Sequence, residues 1–398
     1  MKKNMNFFLS WASRQPRNMV LSVLMLCCGA AAHAPRSAAA NVHSTHIAQV
    51  MDVPQNDAGL DADTIVNAQK ISPTNTYGEF LRVAEKYTPA LIAILANMEG
   101  FSAKPYLIAG KWTQGYGSTT TKTGARVTKK TKAVTKEEAF ITAARHIEIG
   151  ETYLVMYAIM CEYNRALTPG EFLGLASFVY NGGPALIENQ DVNMSSRWWA
   201  LRQLLKANGE NLSRDQVTET FKKYPVTSPG RVIGAFANKK IASENLGDEM
   251  GRFVYANHKK QDGLVWRRWL EASLIRGTVS VDDLVHLPVG GGWAFRQFAM
   301  SHGHDLVEDG KINYAAADMF HDWIKSPSLY DKNTGKYVQL ADLQSVEEIL
   351  PDFAMAQIEQ TSDKTIAFDV ASRAVRNKSD KNMQRIAHDS IDKGNANV

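Results

Sequence analysis

The sequence predicts an α+β fold dominated by helix, and three features carry that prediction. A strongly apolar run at residues 90–98 follows a threonine–proline pair, which is typical of a helix start, and stops at Glu99-Gly100. Because glycine commonly ends a helix, the run predicts one helix with Glu99 at its carboxyl end. The next residues, 101–124, are rich in glycine and threonine and predict a small β-hairpin region. Capping-box patterns then open further helices, so the predicted fold combines several helices with a small sheet.

Further helices are predicted after the hairpin region. Thr135 with Glu138, and Thr168 with Glu171, have the spacing of capping boxes. The predicted helices cover residues 135–164, 168–181, 195–208 and 263–276. Beyond residue 277 the pattern changes: a turn between extended pieces is predicted at residues 331–336, and helices at residues 342–360 and 365–391.

The composition is that of an ordinary globular protein. Of its 398 residues, 44% are hydrophobic and 22% are charged, which excludes the disordered and fibrous classes. The formal net charge of +4 is too small to predict a nucleic-acid partner, which requires a concentrated basic face. A mild positive charge is compatible with a polyanionic surface.

The amino terminus has the pattern of a secretory signal peptide. Basic residues come first, an apolar run covers residues 19–32, and the alanines at 38–40 provide a cleavage site of the A-x-A type. The run is shorter than the roughly 20 residues that span a bilayer. We therefore predict a signal peptide at residues 1–40, export to the periplasm or the extracellular space, and no stable membrane insertion after cleavage.

Two alternatives to cleavage stay open: a retained, weakly apolar anchor, and lipidation at Cys27 or Cys28. Leu26 disfavours lipidation, because a small residue usually precedes the modified cysteine. After cleavage Cys161 remains alone, so no internal disulfide is predicted, and its apolar surroundings favour a buried thiol over a nucleophile.

Glu99 is the leading candidate for chemistry. A carboxylate at the carboxyl end of a helix faces the negative end of the helix dipole, and the apolar run before it desolvates the group. Both effects raise the pKa of the carboxyl group, as protonation of a glycosidic oxygen requires. On spacing alone, a solvated glutamate at a helix end is the more common explanation.

The residues that follow Glu99 resemble the signature of the phage-type lysozymes, glycoside hydrolase family 24. In that family a Glu-Gly pair at a helix end precedes a glycine-rich hairpin containing W-T-x-G-Y-G, and residues 112–117 here read W-T-Q-G-Y-G. Further matches follow in the family's order: the T-x-E-E-A helix start at 135–139, a buried helix at 172–183, a short helix at 195–208 and the pattern G-L-x-x-R-R-x-x-E at 263–271. The resemblance covers about half of the chain.

The resemblance implies a mainly helical lysozyme-like fold with a small β-hairpin subdomain. It implies a peptidoglycan hydrolase that cleaves the bond between N-acetylmuramic acid and N-acetylglucosamine. Glu99 would be the general acid, Thr113 would help to hold the attacking water, and Gln114 and Tyr116 would contact the substrate. Peptidoglycan is the expected partner, and no metal or cofactor is expected.

The signal-peptide pattern, the polar stretch after it and the resemblance together divide the chain into four parts. We predict a signal peptide at 1–40, a linker at 41–78, a lysozyme-like catalytic domain at 79–277 and a C-terminal extension of unknown fold and role at 278–398. The catalytic domain is predicted to be separable from the extension, because the family motifs end before residue 277 and a glycine cluster follows at 290–292.

One member of the family's site is missing. The family normally carries an aspartate, sometimes a cysteine, soon after the tyrosine that is Tyr106 here, but Ile108 stands near that position. No acidic residue or cysteine occurs between residues 100 and 136, and Ser118 takes the place of the family's usual histidine. Three possibilities stay open, in this order: a muramidase with a substitute carboxylate, a one-glutamate enzyme of the lytic-transglycosylase type, and a catalytically inactive wall-binding or assembly protein.

Two other clusters have a functional and a structural explanation. A basic run could contact acidic wall peptides or could be a solvated loop, and the sequence does not separate these. Its members are Lys122, Arg126, Lys129, Lys130, Lys132 and Lys136. The histidines and aspartates between residues 302 and 322 do not have the spacing of a known zinc site. They are better explained as scattered surface residues, so no metal site is predicted.

Overall fold

The computed structural model describes the chain from residue 70 to residue 359, with short gaps. The described ranges are 70–108, 110–148, 150–183, 192–225, 231–237, 243–256, 259–289, 291–331, 336–339 and 344–359. The predicted signal peptide, the predicted linker as far as residue 69 and the predicted helix at 365–391 lie outside them. Within these ranges, no helix combines the length and the apolar character needed to cross a membrane.

The helix that carries Glu99 lies at the centre of the fold. Helix α1 (Tyr77–Ala84) leads through a 3-10 turn into α2 (Thr88–Glu99), which is buried on every side along residues 88–97. The threonine–proline pair predicts a helix start with Thr88 as its cap, but the turn already leads into the helix at that residue. The Thr88 hydroxyl instead bonds to Glu148 Oε1 at 3.0 Å and to the Tyr153 hydroxyl at 2.9 Å.

The predicted hairpin directly follows α2. Strand β1 (Ser102–Ile108) pairs in antiparallel register with β2 (Lys111–Gly115), and Tyr106 lies opposite Thr113. A bulge between residues 102 and 106 interrupts the register. The hairpin packs closely on the next helix, α3 (Lys136–Glu148). A Cβ at Gly115 would lie 2.8 Å from the Cβ of Ala139.

More helices follow the hairpin along the chain. They are α3 (Lys136–Glu148), α4 (Glu151–Tyr163), α5 (Pro169–Gly182), α6 (Val192–Asn208), α7 (Arg214–Lys223), α8 (Arg231–Ala237), α9 (Ser243–Gly251) and α10 (Asp262–Arg276). Of these, α3 and α5 pack on α2. A two-residue hairpin of β3 (Tyr255–Ala256) and β4 (Lys259–Lys260) precedes α10. This arrangement of helices with small antiparallel sheets confirms the α+β class.

The structure corrects one predicted helix. The pattern at residues 135–164 predicts a single helix, but α3 ends at Glu148 and α4 begins at Glu151. Gly150 caps α4 with an extended backbone, and a Cβ there would lie 1.9 Å from the carbonyl oxygen of His146. The chain therefore turns at a glycine that amphipathic periodicity does not reveal.

The residues after α10 form short helices and hairpins. They are α11 (Val281–Val285), α12 (Gly291–Ser301), β5 (Val307–Glu308) with β6 (Lys311–Ile312), α13 (Ala316–Trp323), β7 (Ser328–Asp331) with β8 (Lys336–Gln339) and α14 (Val346–Ile349). The extended pieces on either side of residues 331–336 are confirmed by β7 and β8. In place of the one helix predicted over 342–360, the described residues form helices at 346–349 and 352–359, separated by residues 350 and 351.

An aromatic cluster joins these later elements to α10. Trp269 packs on Phe295 with ring centroids 5.3 Å apart, and Phe295 packs on Phe320 at 5.0 Å. Trp266 stacks on Trp269 at 5.4 Å and completes the cluster. The hydrophobic core therefore continues across residue 277, and the domain boundary proposed there stays a prediction.

Candidate active site

Glu99 ends α2 at the junction with the hairpin. Gly100 follows with φ +70°, a conformation that favours glycine, and a Cβ there would lie 3.2 Å from Val289 Cγ1. The Glu99 side chain is 14% exposed. Burial raises the pKa of this carboxyl group, while the charge of Arg267 acts in the opposite direction. The site therefore holds a carboxyl group that keeps its proton to higher pH than a solvated glutamate does.

Arg267 lies beside Glu99. Its Nη1 is 3.9 Å from Glu99 Oε1, and its Nε bonds to Glu271 Oε1 at 3.1 Å. Arg268 Nη1 lies 2.7 Å from the other oxygen of Glu271, and Ser177 Oγ donates to Glu271 at 2.7 Å. This network fixes the Arg267 guanidinium, while its Nη1 has no hydrogen-bond partner among the described residues.

The hairpin faces Glu99 through Gly117. This glycine has φ +85°, and a Cβ on it would lie 3.5 Å from Glu99 Oε2. Thr113 is fully buried, and its hydroxyl donates to the Tyr106 carbonyl oxygen at 3.4 Å. Burial raises the pKa of the Tyr106 hydroxyl; a side-chain hydrogen bond with Thr113 lowers it and the charge of Glu99 raises it. Tyr106 thus links Thr113 with the surroundings of Glu99.

Ile108 lies on the same hairpin face as Tyr106 and Thr113. It pairs with Lys111 at the end of the ladder, and side chains two residues apart on a strand share a face. Leu107 and Trp112 form the opposite face. The face on which the family's second carboxylate is expected therefore carries an aliphatic side chain.

The sequence model of the phage lysozyme family matches residues 96–224. The match begins three residues before Glu99 and extends through the hairpin to the end of α7. Over these residues the chain is similar to the phage lysozymes. The resemblance predicted from the sequence is confirmed, together with the lysozyme-like α+β fold. No curated protein matches the chain.

A phage lysozyme domain is a glycoside hydrolase domain that acts on peptidoglycan. The family match ends before α10, so Arg267 reaches the lysozyme domain from outside the matched residues. Arg267 belongs to the family pattern at 263–271, but that pattern does not predict its position beside Glu99.

Two predicted substrate residues of the lysozyme domain are buried. Gln114 is 3% exposed and pairs through its backbone with Ser118. Tyr116 is 2% exposed, and its hydroxyl donates to the Ile349 carbonyl oxygen at 2.6 Å. A glycan would reach Tyr116 only if the segment that carries Ile349 moved, so these two assignments stay predictions.

The remaining candidates lie away from Glu99. Cys161 is buried, and burial raises the pKa of its thiol to about 11, which disfavours a thiolate. His321 pairs with Asp283 at 3.4 Å, and Asp305 pairs with Lys260 at 2.6 Å. Among the described residues, no three metal-binding side chains come together.

Proposed function

We propose that the protein is an exported muramidase. It would cleave the bond between N-acetylmuramic acid and N-acetylglucosamine in peptidoglycan, with Glu99 as the general acid. The observation that carries the proposal is the position of Glu99, a desolvated carboxyl group at a helix end in the junction between the hairpin and the helices.

The raised pKa of Glu99 suits the first step. A carboxyl group that is protonated near neutral pH can transfer its proton to the glycosidic oxygen as the bond to the sugar breaks. The transfer leaves a carboxylate, and the Arg267 guanidinium at 3.9 Å stabilises that negative charge. Arg267 therefore acts on the product of the proton transfer, while burial keeps the proton in place beforehand.

Thr113 would orient the attacking water, which would have to enter the protein to reach this fully buried hydroxyl. Its hydroxyl can accept and donate hydrogen bonds, but it is a poor base near neutral pH. Hydrolysis by this route therefore needs a further proton acceptor, and a carboxylate from another part of the chain is the first candidate. Glu271 is a poor candidate, because it is fully buried and engaged by Arg267 and Arg268.

A second candidate function is favoured by Ile108. With an aliphatic side chain on this face and an arginine beside Glu99, a one-glutamate reaction of the lytic-transglycosylase type also fits. In that reaction the sugar's own hydroxyl attacks the anomeric carbon, and the leaving oxygen takes the Glu99 proton. The carboxylate then accepts the hydroxyl proton, so the one group acts first as acid and then as base.

Mass analysis of the products separates these reactions. The full-length mature protein is incubated with purified peptidoglycan, and the soluble fragments are examined. Reducing N-acetylmuramic acid ends support the muramidase, and anhydro ends support the second candidate. Reducing N-acetylglucosamine ends would overturn the bond assignment. Release of no fragments would overturn both enzymatic proposals and leave a wall-binding or assembly role.

Export belongs to the same proposal. It is supported by the basic lead, the apolar run and the alanine cleavage site within residues 1–40. Cell fractionation with sequencing of the mature amino terminus tests it: a chain that begins at Asn41 is expected, and an unprocessed chain retained in the cytoplasm would contradict it.

A further inference from the structure

The positive charge of the chain is concentrated beside the candidate active site. Residues 101–136 contain eight basic residues and no acidic residue, whereas the rest of the chain has 37 basic and 41 acidic residues. The eight are Lys104, Lys111, Lys122, Arg126, Lys129, Lys130, Lys132 and Lys136. The net charge of +4 therefore hides a strongly basic segment in an otherwise slightly acidic protein.

Four of these residues are exposed and close in sequence, and we call them the basic platform: Arg126, Lys129, Lys130 and Lys132. None of the four has an ion-pair partner among the residues that the structure describes. Lys122 pairs with Glu138 at 2.7 Å and Lys136 bonds to the Glu348 carbonyl oxygen, so those two cations are engaged within the fold.

Backbone hydrogen bonds hold the basic platform in place. Val127 is buried, and its amide donates to the Thr119 carbonyl oxygen at 2.9 Å. The turn that carries Lys129 and Lys130 is closed by Thr131, whose amide donates to the Thr128 carbonyl oxygen at 3.0 Å. A fixed set of cations loses less conformational entropy on binding than a mobile loop would.

A further backbone bond joins the platform to the hairpin that faces Glu99. The Val134 amide donates to the Ala103 carbonyl oxygen at 2.9 Å, which places the residues around Lys132 alongside the start of β1. Lys104 on β1 is exposed as well, so the positive surface continues onto the hairpin. A polymer held at Glu99 would therefore have its flanking groups near these cations.

We propose that the basic platform binds the carboxylates of the peptides attached to the glycan strand. This inference rests on the proposed function, because peptidoglycan brings anionic peptides with the glycan that enters the cleft. Such contacts would hold the enzyme on its polymer and select peptide-bearing over peptide-free glycan. Exposed cations act on anions within about 8 Å at physiological ionic strength, so the platform acts only on anionic groups that come close to its own side chains.

The test measures binding of the Glu99→Gln protein to sacculi that have been freed of phosphate polymers. The triple variant Lys129→Gln, Lys130→Gln, Lys132→Gln is made in this Glu99→Gln protein. It is expected to bind sacculi about tenfold more weakly than the Glu99→Gln protein at low salt. Half-molar salt should remove most of the difference, because it screens exposed charges. Glycan strands stripped of their peptides should bind both proteins equally.

Two control variants make the result specific. Lys70→Gln, Lys206→Gln, Lys223→Gln changes the net charge equally at exposed lysines on other elements and should bind as the parent does. Exchange of the three platform lysines for arginine should also preserve binding.

If the glutamine triple variant bound intact sacculi as well as the parent does, the platform would have no role in binding. An equal loss on peptide-free glycan would overturn its assignment to peptide carboxylates. Neither result depends on fragment release. Failure of the platform proposal can therefore be told apart from failure of the proposed enzymatic activity.

Discussion

Arg267 Nη1 lies 3.9 Å from Glu99 Oε1, while Glu271 holds the same guanidinium through Nε at 3.1 Å. The Arg267 guanidinium therefore contacts two acidic side chains. Glu271 is a buried ion-pair partner, and Glu99 is the group that is proposed to give up a proton. The arrangement explains how Glu99 can keep a raised pKa beside a cation: burial dominates, and the arginine only reduces the shift.

The raised pKa predicts how pH changes stability. Because the folded protein binds the Glu99 proton more tightly than the unfolded chain, the stability from this group is complete below the ordinary pKa of 4.5 and falls as pH rises through the folded value. Glutamine does not titrate. Thermal unfolding should therefore show Glu99→Gln gaining stability relative to the parent between pH 3.5 and pH 7. A difference that stays constant with pH would contradict the raised pKa.

Gly117 and Gly124 provide a matched pair of backbone substitutions. Both have positive φ, +85° and +82°, but a Cβ at Gly117 would meet Glu99 at 3.5 Å while one at Gly124 would meet nothing within 4 Å. Each change to alanine should cost about 1–2 kcal/mol of unfolding free energy. Only Gly117→Ala should also lower the rate of peptidoglycan release, since it crowds the carboxyl group. Equal rates in the two folded variants would contradict the placement of Gly117 against Glu99.

Much of the site's local framework was predictable from the sequence because it depends on neighbours in the chain. The apolar run and Gly100 predict a helix that ends at Glu99, and the family motif predicts the hairpin behind it. The contacts that the sequence did not predict join residues that are far apart in the chain. Ile349 accepts a hydrogen bond from Tyr116 across 233 positions, and Arg267 reaches Glu99 from a helix outside the family match. No local periodicity carries such information.

Ile108 tests whether the missing carboxylate limits hydrolysis. Ile108→Asp places a carboxylate on the hairpin face shared with Thr113 and should raise the rate at which reducing ends form. Leu107→Asp is the control, because that side chain is 57% exposed and lies on the opposite face. Reducing-sugar assays on peptidoglycan compare the two. An unchanged or lower rate in a folded Ile108→Asp protein would indicate that another group already fills the role.

The boundary at residue 277 is open to a direct test. The sequence predicts that residues 79–277 fold alone, whereas the rings of Trp266 and Trp269 pack on residues beyond Gly277 and predict the opposite. We expect a chain that ends at Gly277 to be insoluble or to lose cooperative unfolding, because aromatic surface becomes exposed. A chain that ends at residue 359 keeps every described contact and serves as control. A soluble, cooperatively folded shorter chain would support the predicted boundary.

Two partly buried carboxyl groups at opposite ends of α2, those of Glu99 and Glu148, give the most direct test of the acid. Burial also raises the pKa of Glu148, to about 7, but Glu148 contacts Thr88 at the start of the helix, away from the hairpin. Glu99→Gln should lower the rate of peptidoglycan fragment release by about 10²- to 10⁴-fold, the contribution typical of a general acid, while the protein stays folded. Glu148→Gln should keep a rate close to that of the parent. A folded Glu99→Gln protein that releases fragments at the parent's rate would contradict the assignment of Glu99 as the acid.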